Sequence, residues 1–360
     1  MAFYDTTNES EGKISKMFTL IGKRQEPLTS ASAGDIIVIP KLDDVKTGDT
    51  LASKEFPVKY PPVDFQPSLY TVCVRAENKG EEDKLGTALN KIAEEDPTCV
   101  LRKDVESGQL QLSTMGEVHL DHIMSKMERK YGVKCLIDKV YIPYRETIRG
   151  KATAEGKHKK QSGGHGQYGH VVLDIEPTTD GQEFEFVDAI VGGAIPRQFI
   201  PAVEKGCVET LAKGVMAGYP LINVKITCKD GSYHSVDSSE MAFKVAASLA
   251  LKKGIPEAKP VLLEPIYAVD VMVPEEYMGD IIGDISSKRG RVLGMEPGED
   301  GITTVKARVP YAEMLDYGVQ LRAMTQGRGN FDMAFDSYEE VPAKLAQEII
   351  DNYKADSEDD

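Results

Sequence analysis

The 360-residue chain contains no tryptophan and only five cysteines, Cys73, Cys99, Cys135, Cys207 and Cys228. They are scattered, odd in number and without a C-x-x-C pair, which predicts reduced thiols rather than a disulfide framework. We expect small buried side chains rather than a thiol nucleophile. No apolar run approaches the roughly 18 residues of a membrane-spanning helix, and the polar N-terminus lacks the regions of a secretory signal. These absences favour a cytoplasmic protein.

Motifs of several enzyme classes are also absent, namely G-x-x-x-x-G-K-[ST], H-E-x-x-H and G-x-S-x-G. The sequence therefore lacks the phosphate-binding loop that P-loop enzymes use to bind and hydrolyse nucleotides. The segment GHGQYG at 164–169 does match G-x-G-x-x-G. A dinucleotide site needs a strand before that motif and a helix after it, whereas here a basic stretch precedes it and a strand is predicted to follow. We interpret the match as coincidental.

Few of the histidines have sequence neighbours that would suit metal binding or catalysis. His119 and His122 have the i, i+3 spacing that a metal site can use on a helix. That predicted helix already has an apolar core stripe and no evident third ligand, so packed or capping histidines are the favoured interpretation. His234 lies in a polar loop without a partner base or nucleophile, which excludes a catalytic triad. Asp237 or Ser238 is expected to cap the next helix. A stand-alone enzyme built on these histidines is the least supported hypothesis.

The pattern of apolar and turn residues predicts a mixed α+β protein of several domains. Over 1–56, short apolar runs such as 36–39 alternate with turn signals, giving too few strands to close a barrel. Four prolines over 57–67 suit an extended linker. Two later stretches, 69–137 and 266–335, each follow the order β-α-β-β-α-β of a ferredoxin-like unit. Thr114 and Glu117 have capping-box spacing before the second helix of the first unit.

The segment between these units, 142–260, differs in character. Its basic stretch at 149–170 carries five lysine or arginine residues and one glutamate, although the whole chain has a net charge of −15. Charge must be assessed by segment, so the acidic total argues only against non-specific nucleic-acid binding. After the basic stretch we predict a strand at 171–175, a helix at 201–213, a strand at 221–228, a loop at 229–236 and a long helix around 238–253.

The loop 157–170 within this segment is the strongest candidate site. Its lysines supply charge for phosphates, and its glycines let the backbone approach a ligand closely. Its glutamine, histidine and tyrosine side chains suit irregular or single-stranded RNA. The alternative is a mobile, solvated turn. The candidate residues are Lys157, Lys159, Lys160, Gln161, Gly163, Gly164, His165, Gly166, Gln167, Tyr168 and Gly169.

Motifs along the whole chain resemble those of elongation factor G. They occur in the order of that family, including its fourth domain, which related factors lack. The motifs are AGDIIVIPKLDDVKTGDTL at 33–51, EEDPT at 94–98, TMGEVHLDHI at 114–123, YRETIRGKA at 144–152, HKKQSGGHGQYGHV at 158–171, IPAVEKG at 200–206, AGYP at 217–220, GSYHSVDSSEMAFK at 231–244, KPVLLEPI at 259–266, GDIIGDISSKRG at 279–290 and QLRAMTQGRGNF at 320–331.

The resemblance implies a division into domains. Residues 1–60 would be a partial β-barrel, the end of domain II, with its linker. Residues 61–141 would be domain III and 261–346 domain V, both ferredoxin-like. Between them, 142–260 would be domain IV, an α/β domain of the ribosomal S5 domain 2-like type. The end of the C-terminal helix and an acidic tail would occupy 347–360.

The resemblance also implies a function and partners. In this family of translational GTPases, the fourth domain reaches into the decoding region of the small ribosomal subunit, where two tip loops contact the tRNA–mRNA duplex and help it move by one codon. Residues 162–169, beginning with Ser162, match the first tip loop, and His234 matches the second. Lys288, Arg289 and Arg291 would face large-subunit rRNA. The implied partners are rRNA of both subunits, ribosomal proteins and the tRNA–mRNA duplex, for a monomer in the cytoplasm.

Two departures from the family pattern bear on the role. The family's nucleotide domain has no counterpart in these 360 residues, so GTP and magnesium are expected only on that domain and no cofactor on this chain. His165 stands where the housekeeping factor usually carries arginine, and histidine is only partly charged near neutral pH, which predicts a weaker, pH-dependent phosphate contact. The histidine form resembles elongation factor G-like paralogs. Translocation, ribosome recycling and a non-translocating interaction module therefore stay open.

Overall fold

The computed structural model describes residues 2–42, 44–161, 166–179, 181–298 and 301–358. The chain divides into two compact units, Met1–Tyr141 with Asp316–Val319, and Ile142–Leu315 with Gln320–Asp360. Both units combine helices with sheets, which confirms the predicted mixed α+β class. In the part of the chain that the structure describes, no helix is both long enough and apolar enough to cross a membrane.

Five short strands begin the first unit: β1 (Ala2–Asp5), β2 (Ser10–Lys13), β3 (Met17–Ile21), β4 (Arg24–Leu28) and β5 (Leu51–Ala52). They form a sheet of order β2-β1-β5 and a separate β3–β4 hairpin, so no barrel closes within residues 2–42 and 44–60, as predicted. The expected strand at 36–39 is wrong. Val38 makes one isolated bridge to Phe18, and Ile36 is 91% exposed because no described strand lies beside it.

The rest of the first unit is a ferredoxin-like fold, as the sequence predicted. Its four strands form a sheet of order β7-β8-β6-β9, antiparallel throughout. Two helices cover one face, and their apolar stripes, which include Leu85, Leu89, Ile123 and Met127, are fully buried. The elements are β6 (Tyr70–Ala76), α1 (Glu82–Glu95), β7 (Val100–Lys103), β8 (Leu110–Thr114), α2 (Glu117–Lys126), extended by a π-helical turn at Met127–Tyr131, and β9 (Cys135–Asp138).

The predicted capping box at the start of α2 is wrong. Gly116 occupies the N-cap position, and no side chain caps the helix. The single hydroxyl hydrogen of Thr114 is instead shared between the carbonyls of Tyr70 and Gly116, at 3.4 and 3.2 Å. Thr114 is the last residue of β8 and points toward the neighbouring strand. Local spacing alone could not distinguish these two uses of a threonine.

The second unit begins with a four-stranded sheet of order β11-β12-β14-β13, in which β13 and β14 are parallel. Helices α3 and α4 cover one face, and Val171, Leu173 and Ile226 of the sheet pack against Phe243 and Leu251. The elements are β10 (Arg145–Ile148), β11 (Ala152–Lys160), β12 (Gln167–Pro177), β13 (Phe184–Asp188), α3 (Ile200–Lys213), β14 (Val224–Ser232) and α4 (Glu240–Glu257).

Two expectations for this segment are corrected. The basic stretch taken as a loop is strand β11 as far as Lys160, and the strand expected to end at Cys228 continues to Ser232. Along β11 small residues such as Ala154 face the helices and polar residues face solvent. The inward residues are small because α4 packs closely over them: a Cβ on Gly156 of this strand would lie 2.0 Å from the Ala246 carbonyl oxygen.

A second ferredoxin-like fold completes the unit, again as predicted, with the sheet order β16-β17-β15-β18. Strand β10 pairs antiparallel with the first residues of β15. The elements are β15 (Pro260–Pro274), α5 (Met278–Ser287), β16 (Arg291–Pro297), β17 (Ile302–Pro310), α6 (Tyr317–Met324), β18 (Asn330–Glu340) and α7 (Ala343–Glu358).

Candidate nucleic-acid interface

The predicted basic loop is the end of the β11–β12 hairpin. Lys159 pairs with Tyr168 and Lys160 with Gln167, so the lysines stand on a hydrogen-bonded ladder rather than on a free turn. Lys157, Lys159 and Lys160 are exposed, and within the described residues no carboxylate lies within ion-pair distance of their ammonium groups. The Lys157 ammonium lies 5.9 Å from the centroid of the Tyr168 ring. Three cations are therefore presented at one end of the sheet.

Part of the first candidate loop lies outside the described residues, namely Ser162, Gly163, Gly164 and His165. Gln161 is exposed immediately after β11. Gln167 begins β12, and its side-chain oxygen lies 2.9 Å from Nε2 of His158 on the paired strand. Strand β12 begins at Gln167, inside the G-x-G-x-x-G match, so the motif leads into a strand and not into the helix that a dinucleotide site needs. The basic stretch before the motif is itself strand β11.

The second candidate loop lies directly beside the first. The Gly166 amide donates to Oδ1 of Asp237 over 3.0 Å, and the Tyr168 amide donates to the Asp237 carbonyl over 2.8 Å. The Ser238 hydroxyl donates a hydrogen bond to the Tyr168 carbonyl over 2.9 Å. One carboxylate and one hydroxyl therefore join two segments about 70 residues apart in sequence.

His234 lies at the exposed side of this junction, with 54% of its side chain accessible. Its amide donates to the Ser238 hydroxyl over 2.9 Å. Its ring Nδ1 accepts from the amides of Val236 and Asp237, at 3.3 and 3.2 Å. In the described part of the chain Nε2 has no partner, so the ring presents one nitrogen outward.

The expected helix cap at this loop needs correction. Ser239 caps α4, because its hydroxyl accepts the Ala242 amide over 3.2 Å. Ser238 and Asp237, the residues predicted for that role, bind the first loop instead. Gly169 was expected to let a ligand approach, but the space it leaves is filled by α4. The sequence therefore identified the polar residues and the glycine correctly but predicted the wrong contacts for them.

A hydrogen-bonded group on the outer face of the sheet was missed by the sequence reasoning. The Ser232 hydroxyl lies 2.7 Å from the Tyr168 hydroxyl and 2.8 Å from Nδ1 of His170. On its other side, Nε2 of His170 lies 2.9 Å from a carboxylate oxygen of Glu155. These contacts hold the Tyr168 ring beside the lysines. The two-residue alternation of β12 places Tyr168 and His170 on one face, and this was the available signal.

The three basic residues predicted for a second RNA surface differ in their surroundings. Arg289 binds both carboxylate oxygens of Glu264 and also contacts Glu313. Hydrogen bonding to Glu264 raises the pKa of the Arg289 guanidinium. The Lys288 ammonium lies 2.8 Å from Asp284 and is mostly buried. Arg291 is exposed at the start of β16. Contact of these residues with rRNA stays a prediction, and Arg291 is the one whose exposure favours it.

The two histidines considered for a metal have different surroundings, and His122 is exposed on α2. His119 accepts the Met115 amide at Nδ1, and its Nε2 lies 3.0 Å from Asp96. Partial burial raises the pKa of Asp96, but hydrogen bonds from Thr98 and the nearby His119 outweigh it and hold the pKa below its usual value. His119 is thus a largely buried histidine held by Met115 and Asp96, in agreement with the packed alternative. Among the described residues no group of three metal-binding side chains occurs.

Three models of one family match this chain. Elongation factor G domain III matches residues 65–139, elongation factor G domain IV matches 141–259, and the elongation factor G C-terminus matches 261–349. The chain belongs to the elongation factor G family. In the terms of that family, both candidate loops lie within the domain IV match, and Lys288, Arg289 and Arg291 lie within the C-terminal match.

Individual relatives agree with this membership. An elongation factor G-like protein of Thermotoga maritima is 46% identical over 347 residues, which cover 96% of this chain and 51% of that protein. A crystal structure of a protein from Thermus thermophilus has a TM-score of 0.78 and 38% sequence identity, covering 99% of this chain and 53% of the other. The chain therefore spans about half the length of the relatives that it matches.

Proposed function

We propose that this chain is the ribosome-binding part of a translational GTPase and that its domain IV tip enters the decoding region to promote tRNA–mRNA translocation. The observation that supports this most is the joined pair of loops. Asp237 and Ser238 hold the second loop against the first, beside Lys157, Lys159 and Lys160, which have no carboxylate partner in the described structure.

The side chains at this end suit a folded RNA ligand. Lysine ammonium groups neutralise phosphates irrespective of sequence. Tyr168 and His234, whose ring centroids lie 6.4 Å apart, add flat surfaces and hydrogen-bonding groups that suit unpaired or distorted nucleotides. Such a combination supports contact with a tRNA–mRNA duplex and its surrounding rRNA more than contact with a regular helix alone.

The remaining partners follow from family membership. We propose that GTP and magnesium bind a nucleotide domain outside these 360 residues and that hydrolysis there drives the movement of the tip. We further propose rRNA of both subunits and ribosomal proteins as partners, a monomeric state and a cytoplasmic location.

Directed hydroxyl-radical cleavage tests the placement of the tip. An iron chelate is attached to a Gln161→Cys variant in which the half-buried Cys135 is replaced by serine, the other four cysteines being buried. We expect cleavage of decoding-region rRNA in bound ribosomes. The matched control carries the chelate at Lys253→Cys, at the far end of α4, and should not cleave there. Equal cleavage from both sites, or none from position 161 in bound complexes, would overturn the proposal.

A second role, ribosome recycling or ribosome binding without translocation, is favoured by the elongation factor G-like name of the Thermotoga maritima relative and by His165 in the sequence that matches the first tip loop. Assays of translocation and of subunit splitting with the intact parent protein distinguish the roles. Activity in splitting alone would support recycling, and activity in translocation alone would exclude it.

A further inference from the structure

Strand β10 connects two parts of the second unit. It pairs with the first residues of β15, from Arg145 with Leu263 to Ile148 with Pro260. It also contacts the segment that follows α3, because the Glu146 amide donates to the Pro220 carbonyl and the Ile222 amide donates to the Glu146 carbonyl, both over 2.9 Å. A strand of only four residues thus joins domain IV to the C-terminal sheet.

Glu146 lies at the centre of this connection and is fully buried. Its Oε2 accepts the amides of Val215 and Met216 over 2.7 and 2.9 Å. Its Oε1 accepts the amides of Ala217 and Tyr219 over 2.7 and 3.3 Å. No cation in the described part of the chain forms an ion pair with it. Four backbone donors therefore compensate the charge that burial would otherwise make very costly.

The loop held by Glu146 has one conformation for a steric reason as well. Gly214 has φ of +67°, and a Cβ there would lie 2.6 Å from Oε1 of Glu146 and 2.2 Å from the Tyr219 carbonyl oxygen. The backbone therefore turns tightly around the carboxylate. Hydrogen bonds to a charged acceptor are stronger than those to a neutral one, so four of them define the loop strongly.

The same loop is the surface on which the C-terminal elements pack. Ala217 shares an apolar cluster with Tyr144, Leu262 and Val341, and Leu345, Ala346, Ile349 and Ile350 of α7 lie against that cluster. The Tyr353 ring of α7 covers Gly218 so closely that a Cβ there would meet it at 2.3 Å. The shape of the loop thus decides whether α7 and β15 have a surface to contact.

We propose that Glu146 is a positioning residue that holds domain IV and the C-terminal ferredoxin-like domain in one orientation. Contacts made by the C-terminal domain then determine where the tip lies. The consequence for the tip rests on the proposed function, whereas the fixed orientation rests on the geometry alone.

Distance measurements between spin labels test the orientation. One label pair, Glu204→Cys with Asp332→Cys, spans the two domains, and a second, Glu204→Cys with Lys253→Cys, lies within domain IV. Both are made with Cys135→Ser. We expect one narrow distance distribution for each pair. Glu146→Gln places an NH2 group against two backbone donors, so the distribution between the domains should broaden or shift while the distribution within domain IV stays narrow.

Two further variants keep the test decisive. Arg149→Ala removes a surface ion pair with Glu340 at the same junction and should leave both distributions unchanged. Tyr353→Ala removes packing on Gly218 without touching Glu146, and should broaden the distribution between the domains even if Glu146→Gln fails to fold. An unchanged interdomain distribution in folded Glu146→Gln, or in Tyr353→Ala, would overturn the proposal. Failure of the wild-type chain to bind ribosomes would overturn the proposed function, but it would not affect the conclusion that these distances give about the domain orientation.

Discussion

At the residue scale, Asp237 connects the two candidate loops through a single carboxylate oxygen and its own carbonyl group. The Gly166 amide has Oδ1 of Asp237 as its acceptor, 71 positions away in sequence. A partner at that separation is created by the tertiary fold, so the sequence showed a polar residue at position 237 and suggested only a local helix cap. Ser232 was missed for the same reason, whereas the lysines and Tyr168 were identified from residue type alone.

Removing the Asp237 carboxylate should release the first loop. In Asp237→Ala we expect hydrogen exchange at the Gly166 amide to become roughly tenfold faster or more, because a hydrogen bond to a charged acceptor contributes about 1.5–3 kcal/mol. Asp237→Asn keeps a carbonyl acceptor and should show a smaller increase. NMR exchange measurements follow the amide, with Ser235→Ala in the same loop as the control. An exchange rate equal to wild type in Asp237→Ala would contradict the assigned contact.

The burial of four of the five cysteines leads to a second prediction. All five are free, and burial raises the pKa of Cys99 and Cys135 to about 11 and that of Cys228 to about 12. The thiolate is the reactive form, and raising the pKa lowers its population at a given pH. At about pH 8, below all of these pKa values, iodoacetamide should therefore label Cys99 and Cys228 very slowly in the native protein and readily after guanidinium unfolding. Rapid native labelling, seen by mass spectrometry, would contradict their burial.

At the element scale, helices and apolar strands were predictable because their periodicity is carried by large side chains. Both ferredoxin-like units were predicted from such periodic patterns. Strand β11 was missed because its inward positions hold alanine and glycine, which give little hydrophobic signal. Those positions are small because α4 lies against them, and that helix is distant in sequence. Local composition therefore suggested a basic loop where the fold has a basic strand.

The close packing of α4 on this hairpin predicts the effect of an added methyl group. Gly169→Ala would bring a Cβ within 2.4 Å of the Ala242 carbonyl oxygen. We expect the free energy of unfolding to fall by about 1–3 kcal/mol, as in other overpacked cores. The control is Gly283→Ala on α5, where the new Cβ meets nothing within 4 Å, and helix propensity favours alanine by roughly 1 kcal/mol. Urea titration measures both, and a neutral Gly169→Ala would contradict the packing.

At the scale of the whole molecule, charge is distributed unevenly. The chain carries a net charge of −15, yet one end of domain IV presents three lysines without carboxylate partners in the described structure. An acidic body disfavours contact with RNA over most of the surface, whereas the basic end attracts it. The charge of this segment could be predicted from the sequence. The contact between the two loops could not, because it depends on the fold of the entire sheet.

Salt-dependent binding of the chain to ribosomes is the most direct test of the claim that this end contacts RNA. Affinity is measured by sedimentation at graded salt for wild type, for Lys157→Ala with Lys159→Ala and Lys160→Ala, and for the charge-matched control Lys213→Ala with Lys252→Ala and Lys253→Ala. The tip variant should bind more weakly, with a slope of log affinity against log salt reduced by about two to three. The control should behave as wild type. A tip variant with unchanged affinity and slope would contradict the assignment of domain IV's basic end to RNA.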